Sequence, residues 1–238
     1  MDDYNKQCKK ELMIWKKKMS KKPSIINTFT TGTQKKFNNL VPENIHKIVT
    51  AAIKNMVKAV LVGSEFTSTP ELKNMTFKKR EDLVREKLDF YKKTATVSGA
   101  GTGVGGIVLG MADFPILLSL KMKFLFDAAS FYGFDVRDYR ERLFILHIFQ
   151  LAFSSQKKRS EVYKKVLEWD KYAKSLPLDI NVFDWRSFQQ EYRDYMDIAK
   201  MLQMVPVIGA AFGAYANYRL VEKLGETAMN AYRMRIDL

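Results

Sequence analysis

Cysteine and histidine are scarce in this chain of 238 residues, which contains one cysteine and two histidines. Because Cys8 has no partner in the chain, an internal disulfide is excluded. His46 and His147 are too few to build a zinc site without further cysteines, so we expect no metal site. The first residues carry many lysines and no apolar segment of the kind that directs secretion. These scarcities lead us to expect a cytoplasmic protein.

The context of a nucleotide-binding motif is also missing. Gly101 to Gly106 match the pattern G-x-G-x-x-G, which binds pyrophosphate where a strand leads into it and a helix follows. Here the preceding residues have the composition of a helix, and no alternation of strands and helices follows. The Lys-Ser/Thr pair of a phosphate-binding loop is absent as well. We therefore expect no nucleotide and no other cofactor.

Acidic residues are too few to balance the basic ones. The chain has 40 Lys and Arg against 26 Asp and Glu, a net charge of +14. Residues 1–60 contain 13 lysines and four acids, 13 − 4 = +9, so most of the excess lies in the first quarter. Such a charge favours an anionic partner, and an anionic membrane surface is the one we expect. Residues 157–200 hold ten basic and eight acidic side chains, which argues against a nucleic-acid groove.

The first 22 residues predict a basic amphipathic helix, which precedes a helical domain at residues 23–238. Tyr4, Cys8, Leu12, Trp15 and Met19 recur at helical spacing and form one apolar stripe. Two interpretations stay open: the stripe docks on the protein's own core, or the helix lies on a membrane surface or binds a partner. For the second interpretation, the residues expected at the membrane are Trp15, Lys16, Lys17, Lys18, Lys21 and Lys22.

Two segments with almost no charge, residues 94–120 and 201–218, are expected to form the centre of the fold. Each contains small residues four positions apart, a spacing that lets two helices approach closely. The residues predicted to line this contact are Gly99, Gly103, Gly106, Gly110, Gly209 and Gly213. Every periodic segment of the chain follows the helical repeat, and none alternates like a strand. We therefore predict an all-α protein with a single multi-helix domain built around these two runs.

Asp113 and Pro115 interrupt the first of these runs. Because proline lacks a backbone donor and Asp can cap a helix, we predict a new helix here that extends to Gly133. The resulting hairpin lies either in the core or at a membrane interface, since its many glycines make it a poor spanning segment. Asp135 is predicted to cap the next helix. Asp113 as a cap and His147 as a core residue are the favoured interpretations, and these two are also the candidate catalytic residues.

A series of short motifs runs through the two uncharged segments and the region between them. Ala112-Asp113-x-Pro115 comes first, followed by Tyr132-Gly133-Phe134-Asp135, Arg140 to His147, and Pro206 with Gly209 and Gly213. In this order the motifs strongly resemble the bacterial EcsC family, over nearly the whole chain. The resemblance implies no catalytic residue, because the family's biochemical activity is unassigned. The family takes its name from a protein encoded beside the ATPase and membrane subunits of an ABC transporter.

These patterns predict a non-enzymatic cytoplasmic protein attached peripherally to the inner face of the cell membrane. The charge indicates an anionic membrane surface as a partner, and the resemblance implies subunits of an ABC transporter, which the protein would assist or regulate. No nucleic acid is expected. The alternative is a hydrolase-like enzyme with an internal site around Asp113 and His147. The sequence leaves the oligomeric state open.

Overall fold

The computed structural model describes residues 3–21, 43–62, 75–102, 114–154, 156–177, 180–182, 184, 186–188, 190–191 and 210–236. Within these ranges the chain is predominantly α-helical and contains no β-strand, which confirms the predicted all-α fold class. The helices, numbered here in chain order, are α1 (Asp3–Ser20), α2 (Glu43–Val62), α3 (Phe77–Thr102), α4 (Phe114–Tyr132), α5 (Tyr139–Phe153), α6 (Gln156–Leu167), α7 (Trp169–Ser175) and α8 (Ala210–Arg233), with a short 3₁₀ turn at Ile180–Val182.

Helices α4 and α5 form the centre of the core. All residues from Leu143 to Phe153 of α5 are buried, and so are those from Phe124 to Ser130 of α4. A helix that is buried on every side belongs in the interior of a protein. Helices α2 and α8 each pack against both α4 and α5, and α3 packs against α4. Helices α2, α3 and α8 thus pack around these two.

Helices α3 and α8 lie antiparallel and make the most extensive helix contact in the described part of the chain. Glu81 meets Arg233 at one end of the pair, and the Lys92 ammonium lies 5.0 Å from the centre of the Tyr218 ring further along. Between them α8 presents Gly225, where an added Cβ would lie 2.4 Å from Cδ2 of Leu88. The absence of a side chain at Gly225 therefore permits this close approach.

The ends of α3 and α8 bring parts of the two uncharged runs to the same end of the molecule. Gly99 lies in the last turns of α3, and Gly213 lies in the first turn of α8. Because α3 and α8 are antiparallel, Gly99 and Gly213 lie at similar heights along the two helix axes. The other predicted packing glycines, Gly103, Gly106, Gly110 and Gly209, lie outside the described residues, so the packing of the two runs against each other stays a prediction.

The helix boundaries around α4 and α5 follow from local chemistry. Helix α4 begins at Phe114, directly after Asp113, and ends before Gly133, as predicted. Gly133 has φ 94°, and its N–H donates to the Ser130 carbonyl, which is a common glycine-based helix end. The predicted cap of α5 was wrong. Asp138 accepts from the N–H of Arg140 and caps this helix, whereas Asp135 accepts from Arg137 in the preceding turn.

Helix α1 docks on the rest of the protein through its apolar stripe. Cys8, Leu12, Trp15 and Met19 are all buried, as the spacing of the stripe predicts for a docked helix. The Trp15 indole packs edge-on against the Tyr163 ring of α6, with 5.7 Å between ring centres. In the described residues, no helix has an apolar stretch long enough to cross a bilayer.

Candidate functional site

A buried ion pair joins α3 to α8. The side chains of Glu81 and Arg233 are 0% and 2% exposed, and they form two parallel hydrogen bonds. Arg233 Nε donates to Glu81 Oε1 and Nη2 donates to Oε2, each at 2.6 Å. This bidentate geometry is the strongest arrangement available to an arginine and a carboxylate.

Side chains from α1 and α4 complete this network. The Tyr132 hydroxyl donates to Glu81 Oε1 at 2.8 Å, and the Tyr4 hydroxyl donates to Oε2 at 2.7 Å. On the other side, Arg233 Nη1 donates to Glu11 of α1 at 2.9 Å. Burial alone would raise the pKa of Glu81, but the hydrogen bonds from Arg233, Tyr4 and Tyr132 outweigh burial and hold the pKa below its usual value. Glu81 is therefore ionised at neutral pH.

The network is built for stability rather than for proton transfer. Each carboxylate oxygen of Glu81 accepts two short hydrogen bonds from other side chains of the protein. Glu81 therefore has no free lone pair with which to accept a proton from a ligand. Cys8 lies beside it, with Sγ 3.4 Å from Nη2 of Arg233. Burial and the Glu81 charge raise the pKa of this thiol, which keeps it protonated and a poor nucleophile. The cluster binds four helices together instead.

An open cleft of about 340 Å³ lies next to the ion pair, between α1, α3 and α8. We call it the α3–α8 cleft. Charged side chains of both signs form its walls, and two apolar side chains also line it. Its lining residues are Glu11, Arg85, Leu88, Asp89, Lys92, Glu222, Glu226, Met229, Asn230 and Arg233.

Sequence reasoning did not find this site. Glu81 and Arg233 stand among other charged residues in the sequence, where nothing distinguishes a buried charge from an exposed one. Arg233 lies 152 positions after Glu81. Only the antiparallel pairing of α3 and α8 brings them together. Cys8 and Tyr4 were correctly placed on the inner stripe of α1, but the stripe did not reveal the charges that it covers.

Lys121 on α4 is a second buried charge that the sequence did not reveal. Its side chain is 1% exposed, and Nζ lies 3.5 Å from both the Leu117 carbonyl and Oδ1 of Asn217. Both contacts are at the weak limit for a hydrogen bond. No carboxylate in the described part of the chain forms an ion pair with it, and burial lowers its pKa to about 7. The Lys121 amine is therefore neutral in a large share of the protein molecules near physiological pH.

His147, one of the two candidate catalytic residues, is buried in an aromatic cluster. Its ring lies within 5.7 Å of the ring centres of Trp169, Tyr172 and Phe188, and Nδ1 is 3.0 Å from the Leu143 carbonyl. Burial, helped by the nearby Lys165, lowers the pKa of His147 to about 3. The imidazole is therefore neutral and poorly suited to proton transfer at neutral pH. Its proposed partner, Asp113, lies outside the described residues.

The predicted membrane-surface residues differ in how exposed they are. Trp15 is 2% exposed and held in the core, so in this arrangement it cannot reach a membrane. Lys17 and Lys21 are exposed, and Lys16 is partly buried. The Lys18 ammonium forms an exposed ion pair with Glu226 at 3.1 Å. Lys22 lies outside the described residues.

The surface of α1 opposite its buried stripe combines lysines with two apolar residues. Met13 and Ile14, which are adjacent in the sequence, are 70% and 62% exposed. Their helical spacing places them on the side opposite Leu12 and Met19, outside the apolar stripe that the sequence shows. We call this surface the α1 outer face; it comprises the exposed residues Asp3, Lys6, Lys10, Met13, Ile14, Lys17 and Lys21.

Metal-binding chemistry is not found in the described part of the chain. There, no three His, Cys, Asp or Glu side chains come close enough to hold a metal ion. The acidic residues of the Glu81 network bind guanidinium groups, and Cys8 is the sole cysteine of the chain.

Nearly the whole chain matches a known protein family. The family model of the EcsC protein family matches residues 6–236. The chain belongs to the EcsC family. It is 42% identical to Protein EcsC of Bacillus subtilis (strain 168) over 233 residues, which cover 98% of this chain and 96% of that protein. The resemblance drawn from the short motifs is thereby confirmed.

A more distant relative and the solved structures give less information. The chain is 30% identical over 218 residues to the uncharacterised protein YdbA of the same Bacillus strain, covering 83% of this chain and 80% of that protein. No solved structure matches the chain.

Proposed function

We propose that this EcsC-family protein is a non-enzymatic peripheral membrane protein that binds anionic phospholipid through the α1 outer face and there assists an ABC transporter system. The observation that carries the proposal is the α1 outer face itself. It presents exposed lysines around an exposed apolar pair, on a helix whose opposite side is buried in the core. This combination is typical of helices that lie in the membrane interface.

Contacts with the rest of the protein hold α1 in a fixed orientation. Trp15 packs on Tyr163, and Glu11 receives the hydrogen bond from Arg233. Because the inner side is held in this way, the outer face is presented without first ordering a free helix. A surface that is ordered in advance loses less entropy on binding.

The lysines of the α1 outer face are available to a partner. Lys10, Lys17 and Lys21 pair with no carboxylate among the described residues, whereas Lys6 pairs with Asp3 in an exposed contact at 3.1 Å. Each lysine close to an anionic leaflet contributes about 1 kcal/mol. Three or four such contacts favour attachment that is reversible and sensitive to salt.

Met13 and Ile14 supply the apolar part of the contact in place of Trp15. Fully burying a side chain of this size stabilises by about 1.5–3 kcal/mol, and partial insertion below the headgroups gains a fraction of that. Together with the lysines, this gives an affinity in about the micromolar range. The surface therefore needs neither an exposed tryptophan nor a spanning helix.

The transporter part of the proposal rests on the family and not on particular residues. The family takes its name from a protein encoded beside the subunits of an ABC transporter, and this chain belongs to that family. Chemical crosslinking in membranes, followed by mass spectrometry, should recover transporter subunits attached near α1. Recovery of lipid-bound protein without any transporter subunit would remove this part of the proposal and leave the lipid binding.

Cosedimentation with lipid vesicles tests the membrane part. We expect binding to vesicles that contain phosphatidylglycerol, and release as salt rises from about 0.1 M to 1 M, where the Debye length falls from about 10 Å to 3 Å. Vesicles of phosphatidylcholine alone should retain little protein. Equal binding to both vesicle types, or binding that salt leaves unchanged, would contradict the proposal.

A further inference from the structure

Exposed apolar side chains lie at one end of the molecule, where α3 ends and α4 and α8 begin. Val97 of α3 is 73% exposed, Ile116 of α4 is 54% exposed and Tyr215 of α8 is 66% exposed. Pro115, directly before Ile116, is exposed as well. We call these four residues the apolar tip. Apolar side chains that gather at a surface mark a contact with something outside the chain.

Contacts between the three helices place the apolar tip at a single level. Val97 and Tyr215 lie five and three residues beyond the contact of Lys92 with Tyr218, in the same direction. Helix α4 runs antiparallel to α3, so Ile116 in its first turn lies at this end too. Because α3, α4 and α8 pack on one another in all three pairs, their exposed sides point in different directions. The apolar tip therefore extends around the end of the molecule.

Cations without matching acids lie one to two turns behind the apolar tip. Each of the three helices carries one exposed cation there: Lys93, Lys123 and Arg219. The helix segments at this end contain no acidic side chain; they comprise residues 90–102, 114–126 and 210–221. Glu222, just beyond them, pairs with Arg219 in an exposed contact at 2.5 Å, which is a weak interaction in water. This end of the molecule is thus apolar at its tip and positively charged behind it.

We propose that the apolar tip inserts into the interface of an anionic lipid bilayer, as a membrane contact separate from the α1 outer face. The tip residues enter the outer part of the acyl layer, while the long side chains of Lys93, Lys123 and Arg219 reach back to the lipid phosphates. Tyr215 suits this interface, because its ring is apolar and its hydroxyl is polar. Lipids enclose an inserted end on all sides, whereas a protein partner covers one side, so a bilayer matches side chains that extend around the tip.

Helix α1 points towards the same end of the molecule. Glu11 pairs with Arg233 and Lys18 pairs with Glu226, so α1 runs antiparallel to α8. A bilayer inclined to the helix axes can therefore touch the apolar tip and the last turns of α1 together. The apolar tip does not depend on this second contact, because its side chains and the cations behind it lie on α3, α4 and α8.

Quenching by brominated lipid tests the insertion. The variant Val97→Cys, in a Cys8→Ala background, carries a fluorophore on its thiol and is bound to phosphatidylglycerol vesicles with brominated acyl chains. Bromine quenches a fluorophore that reaches the acyl chains, so we expect the bound protein to lose emission relative to vesicles without bromine. Unquenched emission from bound protein would overturn the proposal. An emission shift that follows protein concentration without vesicles would overturn it as well, since a second copy would then cover the tip.

Leu167→Cys is the matched control for this label. Leu167 is 47% exposed and lies two residues before Trp169, whose ring packs on Phe144 at the start of α5. This is the end of the molecule opposite the apolar tip, because α5 follows the end of α4. The label at Leu167 should keep its emission on brominated vesicles. Equal quenching at Val97 and Leu167 would contradict insertion by the tip.

Vesicle binding separates the apolar tip from α1. The variant Val97→Ser/Ile116→Ser/Tyr215→Ser should bind phosphatidylglycerol vesicles at least about tenfold more weakly, because apolar area is lost from the contact. Leu167→Ser should bind like the unchanged protein. Normal binding by the tip variant would overturn the proposal. Weak binding by the tip variant, together with normal binding by a variant whose α1 lysines are replaced by Gln, would support the tip and contradict the α1 outer face.

Discussion

Arg233 and Glu81 form a bidentate ion pair that is completely enclosed, with both hydrogen bonds at 2.6 Å and neither side chain more than 2% exposed. The pair joins the last turn of α8 to the first turns of α3. Tyr4 and Glu11 extend the network to α1, the helix that carries the proposed membrane surface. The internal charges of the protein thus hold in place the helix that presents its external charges.

Removing one member of this pair should be strongly destabilising. Arg233→Met leaves the buried Glu81 carboxylate with only its longer contact to the half-exposed Arg85, at 3.5 Å, and we expect a loss of about 3 kcal/mol or more in the free energy of unfolding. The double variant Arg233→Met/Glu81→Leu should lose less than Arg233→Met alone, because no unpaired charge stays in the core. Chemical denaturation of the unchanged protein and the two variants measures both losses. A double variant less stable than Arg233→Met would contradict this account.

The exposed pair Lys158–Glu161 provides the control for that experiment. Its atoms are 3.0 Å apart, but both side chains reach solvent. Glu161→Gln should change the free energy of unfolding by no more than about 0.5 kcal/mol.

Lys121 should make the stability depend on pH in a specific direction. Its pKa is about 7 in the folded protein, whereas an unfolded lysine has a pKa near 10.5. Between these values the unfolded chain binds more protons, so the free energy of unfolding rises with pH, by up to about 1.4 kcal/mol per unit. Below pH 7 the Lys121 amine is protonated in both the folded and the unfolded protein, so the folded state carries the full cost of burying that charge. Lys121→Met should therefore stabilise most at pH 7 and below, with a gain that shrinks towards pH 10.

Lys123→Met is the matched control for the pH experiment. Lys123 is exposed on the same helix, so its replacement should leave the pH dependence of unfolding as it is in the unchanged protein. A pH slope that survives in Lys121→Met would show that another group causes it.

Gly225 should respond to substitution according to what stands opposite it. With Leu88 in place, a Cβ added at Gly225 would lie 2.4 Å from Cδ2 of Leu88, so this side chain would have to move. We therefore expect Gly225→Ala to destabilise the protein by about 1–3 kcal/mol. In a Leu88→Ala background the same substitution should stabilise, because alanine favours a helix over glycine by about 1 kcal/mol. Thermal denaturation of the four proteins gives the two effects. The same sign in both backgrounds would show that Leu88 is not the obstacle.

The glycines at the far ends of α3 and α8 provide a related prediction. Gly99→Leu and Gly213→Leu should each destabilise, and the two losses should not add if these helix ends are packed closely together. The second leucine would enter a contact that the first has already opened. Thermal denaturation of the single and double variants decides this. Additive losses would place the two glycines in separate contacts.

The fold class, the inner side of α1 and the end of α4 could be predicted because the sequence signal for each is local. The apolar stripe of α1 repeats every three or four residues, and Cys8, Leu12, Trp15 and Met19 are indeed its buried side. The end of α4 was predictable from Gly133, whose left-handed conformation strongly favours glycine. Such features depend on neighbours within a turn or two of the helix.

The buried charges could not be predicted because their signal is not local. Glu81 and Lys121 stand in helical sequences where an exposed charge is the normal expectation, and their burial depends on helices far away along the chain. The identity of Gly225 as the close contact depends on its register with Leu88, which the glycine spacing alone does not define. The same limit affected Trp15, whose position on the stripe fitted both a docked helix and a membrane helix.

Vesicle binding by a variant of the α1 outer face tests the central claim most directly. The variant Lys10→Gln/Lys17→Gln/Lys21→Gln removes three charges from that face, and the control Lys54→Gln/Lys58→Gln/Lys79→Gln removes three exposed charges elsewhere. At about 1 kcal/mol per lysine, the first variant should bind phosphatidylglycerol vesicles about a hundredfold more weakly, and the control should lose only a few-fold. Equal binding by the two variants would contradict the claim that α1 is the membrane-binding helix.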